Sequence, residues 1–193
     1  MNEFRDIQEK LKIALDETRY EHTLGVMYTA GCLAMAHGYD VKKAMLAGLL
    51  HDCAKCISHE ERLSLCNEHH ILITESELKN KALLHAKAGA ILAKIEYDIT
   101  DENILHAICV HTTGEPDMNI LDKIIYIADY IEPGRDKTPN LSRIRKLAYV
   151  DLDTCMAQIL SDTLSYLNAC GGEIDPTTEL TYHFYEKHLK ERA

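Results

Sequence analysis

The chain has 193 residues, 46% of them hydrophobic and 27% charged, a composition that supports a soluble globular fold without disulfides. Its formal net charge of -10 argues against a general nucleic-acid or membrane binder, either of which needs a basic surface. The start MNEFRDIQEK lacks the apolar segment of a secretory signal and no apolar run is long enough for a bilayer, so seven irregularly spaced cysteines read as reduced thiols in a cytoplasm.

Helical spacing dominates from the first residues, and Gly and Pro are sparse. An amphipathic helix is predicted over about Glu3 to Asp16. Thr18, with Glu21 three residues on, predicts a capping box for a second helix ending at His37-Gly38, with Leu24, Met27, Tyr28, Cys32 and Met35 on its apolar side. Asp40 caps a third, apolar helix that ends near His51-Asp52, and Ser58 with Glu61 forms another capping box. A longer helix is expected over about Lys79 to Glu96. Another opens at Thr100 and reaches His111, where Thr112-Thr113-Gly114 breaks it. Ile120 to Ile131 reads as a buried helix stopped by Pro133-Gly134, and helices over about Asp151 to Ala169 and Pro176 to Glu191 close the chain. No stretch alternates with period two between turn signals, so the fold class is all-α, a helical bundle.

The chemistry lies in ionisable residues set inside apolar helical stretches. His51-Asp52 follows Ala47-Gly48-Leu49-Leu50, His85 follows Ala82-Leu83-Leu84, and His111 follows Ile108-Cys109-Val110. Asp129 interrupts Ile124-Ile125-Tyr126-Ile127-Ala128, and His22 lies in the first turn of the second helix. A buried carboxylate beside a buried imidazole is costly without a partner, and a cation supplies one. Taken singly, each such residue is more often capped, paired or exposed than ligating. The joint order H…HD…H…H…D makes convergence on one metal site in the bundle core the better reading. Imidazole with carboxylate suits iron, manganese or zinc.

The stretches Arg19-Tyr20-Glu21-His22-Thr23-Leu24-Gly25-Val26, His51-Asp52-Cys53-Ala54-Lys55, His85-Ala86, His111-Thr112-Thr113-Gly114 and Ala128-Asp129-Tyr130-Ile131-Glu132-Pro133-Gly134-Arg135 resemble the HD-domain phosphohydrolase superfamily. Within it they resemble the branch of symmetrical diadenosine tetraphosphate hydrolases. The resemblance implies one HD-type helical domain over 1–193, with a metal-site core over about 18–135 and helices over about 140–191 packed on it. It implies one or two divalent transition-metal ions per chain, commonly iron. His22, His51, Asp52 and Asp129 would hold one ion, and His85 and His111, with Asp52 as a bridge, the second.

The implied reaction cuts the central anhydride of a dinucleoside polyphosphate, giving two ADP, with Asp52 and Lys55 in catalytic roles. Lys55, Arg19 and Arg135 are expected on phosphate oxygens, and Thr112 and Gly114 at a polar break where amides meet phosphate. Each of these cations has a plain alternative as a solvated surface charge. Glu132 is expected either to orient a ligand or to cap Arg135. No nucleic-acid or membrane partner is expected, and a homodimer is compatible with apolar helices near the C-terminus. The same ligand set also suits a deoxynucleotide or guanosine alarmone, and a non-catalytic nucleotide sensor is the third reading.

Other signals are set aside. Cys53 and Cys56 form a C-x-x-C with no second pair, a poor zinc or redox motif. His37, His59, His69, His70, His183 and His188 read as exposed or helix-terminal. His106 is expected at a solvent face, and Arg143, Arg145 and Lys146 as a solvated basic face.

Overall fold

A computed structural model describes residues 2–136 and 140–192. Its described residues form eleven helices and no strand. These are α1 (Asn2–Ala14), α2 (Glu17–Ala36), α3 (Val41–Leu50), α4 (His59–Glu68), α5 (Glu75–Lys79) and α6 (His85–Glu96), followed by α7 (Glu102–Val110), α8 (Ile120–Ile131), α9 (Leu141–Ala148), α10 (Leu152–Cys170) and α11 (Pro176–Arg192). No helix among the described residues is long and apolar enough to cross a membrane.

Short polar side chains open most of these helices by satisfying amides that have no partner in the first turn. Ser58 and Asn119 form full capping boxes with Glu61 and Asp122, and Asp40 and Asp151 accept from Lys43 N and Thr154 N. Two starts differ from expectation by one or two residues. Asp16 rather than Thr18 caps α2, and Asp101 rather than Thr100 caps α7. In each case a carboxylate near the expected cap takes the amides.

The long helix expected over Lys79 to Glu96 is two helices. A capping box of Thr74 and Glu77 starts α5 early, and Asn80 leaves helical geometry with ψ 85°. A turn over 81–84 then delivers His85 as the first residue of α6. Helix α9 falls where no helix bounds are predicted; the left-handed Asn140 starts it without a side-chain cap.

Helix α8 is the centre of the bundle and packs against α2, α3, α7, α9 and α10. Its Leu121, Ile124, Ile125, Ile127 and Ala128 are fully buried, in a core that also takes residues from α1, α2, α3, α7, α10 and α11. A smaller cluster of Ala54, Cys66, Leu84, Ala88 and Ile91 lies where α4 packs on α6. The apolar side predicted for α2 is corrected. Met27 is buried as expected, but Tyr28, Cys32 and Met35 are exposed, and Val26, Ala30, Leu33 and Ala34 are buried in their place. Helix α2 packs on α3 and α8, and their approach sets which side is buried.

Candidate metal centre

Six residues from five segments meet at one point. His22 comes from α2, His51 and Asp52 from the end of α3, His85 from the start of α6, His111 from the end of α7 and Asp129 from α8. His51, Asp52, His85 and His111 are buried. The rings of His22 and His51, His51 and His111, and His85 and His111 have centroids 5.3, 5.1 and 4.9 Å apart.

Asp52 divides the group in two. Its Oδ2 lies 3.5 Å from His51 Nε2 and 4.0 Å from His22 Nε2, and His22 Nε2 is 3.0 Å from Asp129 Oδ1. Its Oδ1 faces the other way, 2.9 Å from His85 Nε2 and 3.6 Å from His111 Nε2. The carboxylate thus lies between two pairs of imidazoles.

The outer nitrogens set the protonation of the inner ones. His51 Nδ1 donates to Gly48 O at 2.7 Å, His111 Nδ1 to Ile108 O at 2.7 Å, and His85 Nδ1 to Ala82 O. His22 Nδ1 donates to Glu132 Oε1 at 3.1 Å. Carbonyl and carboxylate oxygens only accept, so each Nδ1 carries a proton, and with a cation in the centre each Nε2 would turn its lone pair inward. Two of those inner nitrogens, on His22 and His51, are buried without a hydrogen bond, as is Asp52 Oδ1. His85 Nε2 and His111 Nε2 stand 3.1 Å apart. That spacing suits two neighbouring ligands each about 2.1 Å from a metal. His22 with His51 and Asp129, and His51 with Asp52 and His111, can each hold a divalent ion.

Burial holds the His51 imidazole down at about 4, despite Asp52 and Asp129 nearby, and pulls His85 down as well. Neutral rings are the ligating form. Burial alone would raise Asp52, but His51, His111 and His85 around it more than offset that and keep it ionised.

Three cations rim the centre. Arg19 Nη1 lies 2.7 Å from Asp52 Oδ2, and Arg135 Nη2 lies 2.6 Å from Asp129 Oδ1. Lys55 Nζ lies 3.6 Å from Asp52 Oδ1 and 3.1 Å from His85 Nε2. Two clefts reach the ligands. One of about 400 Å³ runs past Arg19, His22, Pro133 and Arg135. The other, about 290 Å³, is lined by His111, Thr112, Tyr126, Asp129, Tyr130 and Arg135. A larger cleft of about 860 Å³ along α9 and the start of α10 carries Arg143 and Lys146 but no imidazole or carboxylate. Gly114 lines neither ligand cleft. It turns the chain with φ 65°, and a Cβ there would stand 2.9 Å from Thr181.

The structure corrects two readings, those of Arg145 and His106. Arg145 is not a solvated charge: it donates to Ile131 O, Glu132 O and Arg135 O at 2.9 Å each, clamping the turn after α8. Arg62, unremarked in the sequence, does the same after Asp52, donating to Ala54 O at 3.1 Å and Lys55 O at 2.6 Å. An arginine that binds backbone carbonyls leaves no pattern in sequence. His106 is part-exposed but paired: its Nδ1 faces Asp122 Oδ2 at 3.1 Å and its Nε2 faces Glu115 Oε1 at 3.0 Å. With Glu115 and Asp122, it forms a separate group that could also hold a cation. Cys53 is buried and donates to Gly89 O, whereas the exposed Cys56 lies on Asp16, so the C-x-x-C is no paired site.

The HD-domain family model matches residues 19–134, which contain all six converging residues. The chain is 41% identical to the symmetrical bis(5'-nucleosyl)-tetraphosphatase of Bacillus subtilis, covering 90% of this chain and 92% of that one. It is equally 41% identical to the protein of that name from Halalkalibacterium halodurans, over 90% and 91% of the two chains. The crystal structure of a predicted HD superfamily hydrolase involved in NAD metabolism from Clostridium acetobutylicum superposes with a TM-score of 0.92 at 39% identity, over 96% of this chain and 97% of that one.

Proposed function

The chain belongs to the HD-domain family, and from that premise we infer that it is a metal-dependent phosphohydrolase cleaving diadenosine tetraphosphate symmetrically into two ADP. The observation that carries this reading is Asp52, whose two oxygens face separate pairs of imidazoles, in a chain alike over nearly its whole length to relatives with that name.

We assign His22, His51, Asp129 and Asp52 Oδ2 to one divalent ion, and His85, His111 and Asp52 Oδ1 to the second. Nitrogen and carboxylate donors suit iron, manganese and zinc, with iron the first choice from the family resemblance. Bound ions of this kind make hydroxide available at neutral pH and neutralise phosphoryl oxygens. The protein's own groups do the rest. Asp52 holds the two halves of the site in register. Arg19, Lys55 and Arg135, whose side chains are 28%, 29% and 39% exposed, reach from the carboxylates they touch to non-bridging phosphate oxygens. Burial lowers the Lys55 pKa, Asp52 opposes this, and the ammonium remains the closest cation to His85. The leaving ADP is a stable anion near neutral pH, so no strong general acid is required.

The two clefts suit a substrate with a nucleotide at each end. We assign one half to the cleft past Pro133 and the other to the cleft beside Tyr130, with Arg135 common to both. Thr112, on the second cleft, is the polar contact proposed for that half. The seven free thiols agree with a reducing cytoplasm.

The test is to purify the protein without chelator, quantify bound metal, and assay diadenosine tetraphosphate in the same preparation with nucleotides separated by ion exchange. One or two ions per chain and ADP as sole product are expected. Equal ATP and AMP would overturn the symmetrical geometry, and bound metal without turnover after reconstitution with iron or manganese would overturn the substrate.

A further inference from the structure

We propose that Glu132 is a positioning residue: it fixes His22 as the Nδ1–H tautomer and makes the ion position of His22, His51 and Asp129 the tighter of the two. The proposal rests on the metal-centre reading above.

The need for Glu132 follows from where the four histidines sit. His51 and His111 cap the C-terminal ends of α3 and α7, and His85 is the first residue of α6. The last carbonyls of α3 and α7 lack helical partners, and Ala82 O lies in the turn before α6; each of these rings donates to the carbonyl three residues before it. His22 instead lies inside α2, where the preceding carbonyls are taken up by the helix itself. Its Nδ1 needs an acceptor from another element, and Glu132 Oε1, 3.1 Å away, is that acceptor.

The carboxylate has a seat built for it. Its side chain is 5% exposed, and its Oε2 accepts from Gly134 N at 2.5 Å. A Cβ at Gly25 would stand 2.6 Å from Oε2, and one at Gly134 3.0 Å from it. Arg145 holds the Glu132 carbonyl at 2.9 Å. Gly25, Glu132 and Gly134 thus make one contact between two of the stretches that carry the family resemblance. Three imidazoles lean on neutral carbonyls and one on a carboxylate. A carboxylate accepts more strongly and makes the ring a better donor to a metal, so the two ion positions are unequal.

The experiment reads ¹⁵N NMR of the imidazole nitrogens in metal-free protein, then a calorimetric titration with manganese(II) chloride. Wild-type His22 is expected as the Nδ1–H tautomer. In Glu132→Ala that preference is lost, and one of two binding steps weakens by about 10- to 100-fold while the other moves little. Glu132→Gln retains the tautomer, because its amide oxygen still accepts, and weakens the step less. Gly25→Ala displaces the carboxylate and reproduces Glu132→Ala with Glu132 still present. Should Glu132→Ala fail to fold by circular dichroism, Glu132→Gln and Gly25→Ala decide by the same readouts. A wild-type tautomer with both affinities unchanged in Glu132→Ala, or an equal loss at both steps, would overturn the proposal. The NMR arm needs no metal, so its failure is separate from failure of the metal-centre reading, in which wild type itself binds no manganese and the affinity claim falls with it.

Discussion

Lys55 shows how one side chain's position sets its use. It follows Asp52 by three residues, and its ammonium lies on both Asp52 and His85. A charge-assisted contact to phosphate contributes about 1.5–3 kcal/mol, so Lys55→Ala should lower kcat/KM for diadenosine tetraphosphate by roughly tenfold to a hundredfold, with bound metal retained. Steady-state kinetics with metal analysis on the same sample checks this. His106 makes a different prediction. Burial pushes its imidazole pKa down, but Asp122 and Glu115 outweigh that and raise it above the ordinary value. A raised histidine stabilises the fold fully below about pH 6.5 and loses that contribution as pH climbs through the folded value. The Tm advantage of wild type over His106→Asn should therefore be largest at mildly acidic pH and shrink as the solution becomes alkaline.

At the scale of elements, two arginines hold the turns that present the site. Arg62 of α4 binds the turn after Asp52, and Arg145 of α9 binds the turn after α8. Each donates to several backbone carbonyls of the turn that it holds. Arg145→Ala should cost about 1–3 kcal/mol by chemical denaturation, because the carbonyls it holds lose a charged donor. It should also lower metal affinity, since the freed turn carries Glu132. Retained affinity alongside the stability loss would confine Arg145 to a structural role. The split of the expected 79–96 helix belongs here too. Thr74 and Glu77 form a capping box that sequence inspection passed over, and the break at Asn80 puts His85 at a helix start, with its Nδ1 on the turn.

For the whole molecule, the metal centre ties α2, α3, α6, α7 and α8 together at one point. Ions that bind only the folded state stabilise it by mass action, about 2.7 kcal/mol at a hundredfold excess over Kd. Removing metal with a chelator and dialysing the chelator away should lower Tm, and adding manganese back should restore it in step with activity. A Tm indifferent to metal would argue that the four imidazoles and two carboxylates are not ligands. Helix α8 sends five fully buried apolar residues into the core and Asp129 into the candidate site.

The sequence by itself determined the helical class, most of the helices and the six residues that converge, because their signals are local. Apolar periodicity marks a helix, a polar side chain at its start marks a cap, and an ionisable residue inside an apolar run is conspicuous where it stands. The run Ile120–Ile131 is bounded as expected for this reason. Only the tertiary structure decided the rest. Which side of α2 is buried, with Leu33 inside and Tyr28 and Met35 outside, is set by the helices that approach it. Arg145 and Arg62 became clamps, and Glu132 the acceptor for His22, through contacts with backbone or side chains far along the chain. The tautomer of each histidine was likewise decided in three dimensions, since a ring's proton goes to the nitrogen that meets an acceptor.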